Sequence, residues 1–129
     1  MSRLQINAEQ VLGIVTIIAE GEIDVYTLGK LKEAVTLALS SGISLMVIDI
    51  GRVAYIDSSG LGLLLGLHKQ LEKARGSLIV TGPTSAVREV LRVTNADRLL
   101  KIMNTKEEAA HHLTDHPFGT RSATGAPLK

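Results

Sequence analysis

The sequence contains no cysteine and very few aromatic residues, and each absence restricts what the protein can do. Without cysteine, the 129 residues can form no disulfide bond, no thiolate metal site and no cysteine nucleophile, which fits a reducing compartment. Aromatic residues make up only 2% of the chain, which is too few to stack successive nucleotide bases. The core must therefore be built from aliphatic residues, and binding of single-stranded nucleic acid is not expected.

The sequence also lacks an excess of charge of one sign and long apolar runs. Fourteen basic and thirteen acidic residues give a net charge of +1, and no cluster of Lys and Arg is long enough to follow a phosphate backbone or an anionic membrane. No stretch approaches the roughly 20 apolar residues that cross a bilayer, and the first ten residues lack a signal-peptide core. We therefore expect a cytoplasmic protein with no membrane association, no direct nucleic-acid contact and another protein as its partner.

Hydrophobic patterning predicts alternating strands and helices. The predicted strands share β-branched or unbroken apolar runs: 3–7, 11–19, 45–50, 77–83 and 99–103. Glu20 and Gly21 are expected to end the second of these strands. The predicted helices share apolar residues at helical spacing: 25–39, 59–74, 83–94 and 105–113. Such alternation favours parallel pairing through right-handed crossovers, so the fold class is α/β, with helices packed against a small mixed β-sheet.

This pattern predicts one domain followed by a tail. Residues 1–114 contain every predicted element and form the domain. Residues 115–129 lack periodicity and are rich in Pro, Gly, Ser and Thr, so they are predicted to be a disordered C-terminal tail.

The most informative feature is the stretch DSSGLG, between a predicted strand and a leucine-rich helix. Asp57, Ser58 and Ser59 are all suited to cap that helix, although one cap is enough. Gly60 and Gly62 each weaken its first turn by ~1 kcal/mol relative to Ala. Glycine leaves backbone uncovered for a close approach by another molecule, and a helix N-terminus favours an anion such as a phosphate on serine. The stretch is therefore either a simple helix cap or a contact surface with a modifiable hydroxyl.

In this setting the stretch resembles the STAS domain family, in particular the bacterial anti-sigma factor antagonists of sporulation and general stress systems. The resemblance covers residues 4–113 and is carried by three segments: AEGEIDVYTLGKLKEAV, YIDSSGLGLLLGLHKQLEKARGSLIVTGP and VREVLRVTNADRLLKI. It implies a small mixed sheet with helices packed on it. It also implies binding to an anti-sigma factor that is a serine kinase, which frees a sigma factor. In this family the kinase phosphorylates the serine directly after the Asp, the complex dissociates, and a separate phosphatase restores the antagonist.

The resemblance also implies roles for single residues. Ser58 would accept the phosphate, and Ser59 would be the neighbour that caps the helix. Asp57 would orient the turn or the hydroxyl, and Asp24 would lie at the neighbouring strand-to-helix loop, where capping of the first helix is an equally good interpretation. Seven residues are expected at the partner surface: Asp24, Asp57, Ser59, Gly60, Leu61, Gly62 and Leu65.

Helical spacing divides the leucines of the second helix into two groups. Four leucines near one face are expected to enter the core: Leu63, Leu64, Leu67 and Leu71. Leu61 and Leu65 lie off that face, so they are either partner contacts or part of a helix that is buried on more than one side.

No enzyme signature accompanies the serine turn. The glycine spacing of GLGLLLG differs from a dinucleotide fingerprint, and a hydrolase nucleophile would need a glycine two residues before it. The histidines lack a set of partners that could hold a metal. We therefore predict no catalytic residue, no metal and no cofactor, since a kinase would supply nucleotide, magnesium and base. Nucleotide binding, or a STAS scaffold or regulatory module without a phosphorylation switch, stays open as the alternative.

Overall fold

Strands and helices alternate along residues 3–115, the part of the chain that the computed structural model describes. The strands within these residues are β1 (Leu4–Val11), β2 (Ile14–Ile23), β3 (Leu45–Ile56), β4 (Ser77–Thr81) and β5 (Lys101–Met103). The helices are α1 (Leu28–Ser40), α2 (Ser58–Lys73), α3 (Ser85–Val93), α4 (Ala96–Leu99) and α5 (Lys106–Asp115). The strands form one sheet in the order β1-β2-β3-β4-β5, in which β1 is antiparallel to β2 and the other neighbours are parallel. The predicted α/β class and small mixed sheet are confirmed.

Helices cover both faces of the sheet, because the central strands are apolar on both sides. On one face, aliphatic side chains of the sheet pack against α1 to α4: Val15, Ile17, Met46, Ile48, Leu78 and Val80. A smaller cluster on the other face joins the sheet to α5: Ile14, Val47, Ile79, Ala109 and Leu113. Among the described residues, no helix is long and apolar enough to cross a membrane.

Besides β1, which ends at Val11 rather than at Asn7, two strands run further than the sequence predicts. The predicted end of the second strand at Glu20 and Gly21 is wrong, because β2 continues through register shifts to Ile23. Gly21 has a φ of +125°, and a Cβ at this position would overlap the Arg3 carbonyl oxygen, so only glycine suits this irregular step. The strand predicted at 45–50 likewise continues to Ile56. Both extensions carry the chain to one edge of the sheet.

Other boundaries shift by a few residues. The helix predicted from Val25 begins at Leu28, because residues 24–27 form a turn, and Val11 belongs to β1 rather than to β2. Pro83 precedes the third helix, whose N-cap is Thr84. The four-residue α4 is too short to leave a periodic pattern. Asp115, predicted as the first residue of the tail, ends α5, and the rest of the predicted tail lies outside the described residues.

Candidate functional site

Asp57 lies between the end of β3 and the start of α2 and also binds the chain just after β2. Its Oδ1 accepts hydrogen bonds from the backbone N–H groups of Ser59 (3.0 Å) and Gly60 (3.1 Å), which makes Asp57 the N-cap of the helix. Its Oδ2 accepts one from Val25 N–H at 3.2 Å, and its own N–H donates to the Ile23 carbonyl at 3.1 Å. One carboxylate therefore fixes the mutual position of the two loops that the sequence predicts to be neighbours.

Asp24 organises the second of these loops. Its Oδ1 accepts from the backbone N–H groups of Tyr26 (2.9 Å) and Thr27 (3.0 Å), so it caps the turn that leads into α1. The Arg3 guanidinium lies 3.1 Å from Asp24 Oδ2 and 3.1 Å from Glu22 Oε1. The N-cap of α1 is Thr27, so the interpretation of Asp24 as the cap of that helix is wrong. Asp24 instead holds the turn before α1, and its neighbour Val25 donates to Asp57, so the predicted position of Asp24 at the neighbouring strand-to-helix loop is confirmed.

The two adjacent serines have different environments. The Ser59 hydroxyl donates to Asp57 Oδ1 at 2.6 Å and is partly buried. The prediction that Ser59 caps the helix is wrong: Asp57 is the cap, and Ser59 supports it. The side chain of Ser58 is exposed at the first position of α2, and its hydroxyl makes no hydrogen bond within residues 3–115. Of the two hydroxyls, that of Ser58 is the one accessible to a partner.

The two glycines after the serines also differ. Gly60 is buried, and a Cβ there would lie 2.7 Å from Ile56 Cγ1 and 2.8 Å from Ile23 Cγ2. The interpretation that both glycines leave backbone open to another molecule is therefore wrong for Gly60, which instead lets α2 approach the sheet. Gly62 is exposed, and a Cβ there would have no neighbouring atom within 4 Å among the described residues, so of the two glycines it alone leaves an open surface.

Replacing each glycine by alanine should move stability in opposite directions. Gly60→Ala is expected to lower the free energy of unfolding by about 1–3 kcal/mol, because overpacking outweighs the better helix propensity of Ala. Gly62→Ala is expected to raise it by up to ~1 kcal/mol, since the added methyl group meets no neighbour. Urea denaturation of both variants measures the difference. Equal stabilisation by both substitutions would contradict the close approach of α2 to Ile23 and Ile56.

The leucines of α2 only partly follow the prediction. Leu64, Leu67 and Leu71 are buried as expected, whereas Leu63 is only partly buried. Of the two interpretations left open for Leu61, a helix buried on more than one side is confirmed, and its assignment to the partner surface is wrong: it is 7% exposed and packs in the main cluster. Leu65 is partly buried against the same cluster. Leu61 is thus excluded as a surface contact, and Leu65 offers only part of its side chain.

Hydrogen bonding stabilises the charged form of Asp57. The Ser59 hydroxyl, helped by the N–H groups of Gly60, Val25 and Ser59, holds the pKa of the Asp57 carboxyl below its usual 3.8. The carboxylate is therefore ionised at neutral pH, directly before the exposed Ser58. Any charge added to Ser58 would stand beside a negative group.

The lowered pKa predicts a pH-dependent contribution of Asp57 to stability. A depressed folded-state pKa stabilises the fold above the unfolded value of 3.8, and this contribution is lost as the pH falls through the folded value. We expect the stability difference between wild type and Asp57→Asn to be constant from pH 7 to about pH 5 and to shrink towards pH 3. Urea midpoints of both proteins across this range measure it. A difference that does not change with pH would show that the charge plays no part in the cap.

The structure brings together Asp24, Asp57, Ser58, Ser59 and Gly62 at the carboxyl ends of β2 and β3. Three exposed apolar residues at the same edge of the sheet were not predicted from the sequence: Val25, Tyr26 and Tyr55. The available signal was that both tyrosines of the chain lie within the two segments that flank the site. Among the described residues, no group of three or more His, Asp or Glu side chains could hold a metal ion.

Comparisons with known proteins agree on one family. The family model of the STAS domain matches residues 5–109. The anti-sigma-B factor antagonist of Listeria monocytogenes is 34% identical over 95 residues, which are 73% of this chain and 82% of that protein. The unphosphorylated form of the anti-sigma factor antagonist SpoIIAA has a TM-score of 0.74 at 26% identity, covering 86% of this chain and 97% of SpoIIAA. The phosphorylated form of the same Bacillus cell fate determinant has a TM-score of 0.66 at 26% identity, covering 84% and 99%.

Proposed function

The chain belongs to the STAS domain family, and on this premise we propose that it is an anti-sigma factor antagonist that phosphorylation of Ser58 switches off. It binds an anti-sigma factor that is also a serine kinase, and this binding releases a sigma factor. The observation that carries the proposal is the exposed Ser58 hydroxyl, which is free of hydrogen bonds within residues 3–115 and directly follows the Asp57 cap. The names of the similar proteins support the antagonist role, and the phosphorylated form of SpoIIAA supports the modification.

The chemistry of the switch needs only an acceptor from this chain. The Ser58 oxygen attacks the terminal phosphorus of a nucleoside triphosphate bound to the kinase, a new O–P bond forms, and the bond to the diphosphate leaving group breaks. The hydroxyl proton passes to a base of the kinase. A phosphatase restores the hydroxyl by hydrolysis of the O–P bond. This protein is therefore a substrate and a binding partner in the proposal, not the catalyst.

The geometry around Ser58 explains how a phosphate would end binding. The first-turn N–H groups of Ser59 and Gly60 already donate to Asp57, so they are not free to neutralise a phosphate. The new charge of about −1.5 to −2 would stand beside the ionised Asp57 and face the partner. A surface shaped for a small hydroxyl would then meet a hydrated, uncompensated charge, and the complex would dissociate.

The proposal is tested by incubating the protein with magnesium-ATP and, one at a time, each kinase-type anti-sigma factor of its host. Intact mass and peptide mapping should show one added phosphate on Ser58 with one of these kinases. Ser58→Ala should show none, and Ser59→Ala should still be modified. Phosphate at another residue would contradict the assignment of the acceptor. No modification and no binding with any kinase would contradict the proposed function itself.

A further inference from the structure

Both tyrosines of the chain are exposed, and both lie at the edge of the sheet that carries Ser58. Tyr26 is 85% exposed and Tyr55 is 51% exposed, and Val25 beside them is 63% exposed. These are the two tyrosines of the chain, and neither belongs to the aliphatic core. Large exposed rings on one edge mark a surface for a partner, because aromatic side chains are enriched among the residues that dominate binding energy.

Strand pairing, an ion pair and a ring contact link the segments that carry the two tyrosines. Tyr55 lies opposite Glu22 in the register of β2 and β3, and Glu22 pairs with Arg3 at 3.1 Å. The Arg3 guanidinium in turn lies 5.9 Å from the centre of the Tyr26 ring. We call the set Arg3, Glu22, Val25, Tyr26 and Tyr55 the tyrosine rim. The N–H of Val25 donates to Asp57, and Tyr55 precedes Asp57 by two residues, so the rim borders Ser58.

We propose that Tyr26 and Tyr55 are the anchor side chains with which this protein holds the kinase over Ser58. The inference rests on the proposed function and deepens it, because it says which side chains select the partner. The two rings would enter apolar pockets of the kinase beside the serine turn. Contacts at the rim do not involve the Ser58 hydroxyl, so they bring the kinase to its substrate and still permit phosphate transfer.

Charge on and beside the rim specifies the facing surface further. Glu22, Asp24 and Asp57 contribute three carboxylates, against the single guanidinium of Arg3 that pairs with two of them. A facing protein surface with basic groups around two apolar pockets complements this arrangement, and like charges would be rejected. A second copy of this chain would place carboxylates opposite carboxylates in a two-fold contact, so a homodimer through this edge is disfavoured.

The test compares Tyr26→Ser, Tyr55→Ser and the double variant with wild type in titrations against the host kinase that binds wild type most tightly. Each single substitution should weaken binding roughly tenfold or more, as expected for a binding hot spot, and the thermal midpoint should change little because the rings are exposed. Tyr26→Phe should bind close to wild type, since it keeps the ring. The matched control is Leu37→Ser: Leu37 is 65% exposed on α1, roughly 15 Å along the helix from the site, and should bind like wild type.

The outcomes separate this inference from the proposed function. If the kinase binds and phosphorylates wild type and binds the double variant equally tightly, the tyrosines are not anchors and the inference is overturned. The proposed Ser58 switch would stand in that case. Absence of binding by wild type to every host kinase would overturn both. A wild-type dimer that the double variant converts to a monomer would assign the rim to a second copy and overturn the inference. Loss of kinase binding in the double variant, with Leu37→Ser unaffected, supports it.

Discussion

Ser58→Asp is expected to abolish most of the binding to the kinase, whereas Ser58→Ala is expected to bind within a few fold of wild type. A buried and uncompensated charge at an interface costs about 2–5 kcal/mol, which corresponds to a loss of roughly 30-fold or more in affinity. The neighbouring Asp57 carboxylate is ionised and repels the new charge, and the N–H groups of Ser59 and Gly60 that could compensate it already donate to Asp57. Titration calorimetry of both variants against the kinase measures the two affinities.

The chain provides a closely matched control for this charge. Ser85 is the first residue of α3, exposed and directly after the N-cap Thr84, as Ser58 is exposed and directly after Asp57. Ser85→Asp therefore adds the same charge at the same helical position of a different helix, and its affinity should equal that of wild type. Equal affinities for Ser58→Asp and Ser58→Ala would show that the interface tolerates charge and would contradict the switch. A matching loss in Ser85→Asp would assign the effect to net charge rather than to position.

Apart from the four-residue α4, the order of the elements and their types could be predicted from the sequence, because apolar runs and helical spacing can be recognised without the tertiary structure. The second half of β3 could not. Residues 51–55 include a glycine and an arginine and interrupt the apolar run, and this segment is a strand because it pairs with the irregular end of β2. The local sequence pattern does not indicate such pairing between distant segments. The predicted strands therefore end before the edge of the sheet that holds the site.

Within the site, the sequence identified the residues of the serine turn but not the role of each residue. A cap was expected at this turn, but Asp57 and Ser59 are equally good caps by type, and only geometry shows that the carboxylate accepts and the Ser59 hydroxyl donates. The same holds for Gly60, which is required by Ile23 and Ile56 from distant parts of the chain. Exposure of Tyr26 and Tyr55 likewise depends on where the sheet ends rather than on local sequence.

Leu61 shows how a single tertiary contact changes a helix face. Leu61 can share a helix face with Leu64, Leu67 and Leu71. The face predicted to be buried was centred differently, because it included Leu63 and left Leu61 out. Because Gly60 lets the start of α2 approach the sheet, the buried face is the one with Leu61 on it, and Leu63 remains partly exposed. This difference decides between a residue that binds a partner and one that holds the fold.

Leu61→Glu is therefore expected to unfold much of the protein rather than to weaken the interface selectively. A carboxylate at a position that is 7% exposed and surrounded by aliphatic side chains has no partner for its charge, and such substitutions lie in the tail above about 4 kcal/mol. That is a large part of the roughly 5–15 kcal/mol that stabilises a typical domain. Leu61→Ala keeps the site neutral and should remain folded with a loss of about 2–5 kcal/mol, so urea denaturation can measure it.

Gln70→Glu is the matched control, since it adds the same charge to the same helix at an exposed position and should leave the urea midpoint nearly unchanged. Leu65→Glu should fall between the two, because Leu65 is only partly buried. A Leu61→Glu protein with the midpoint of wild type and weakened kinase binding would place Leu61 at the partner surface and contradict its position in the core. A low midpoint for Leu61→Glu and Leu61→Ala, with Gln70→Glu unaffected, would instead leave Ser58, Gly62 and the tyrosine rim as the surface that a partner can reach.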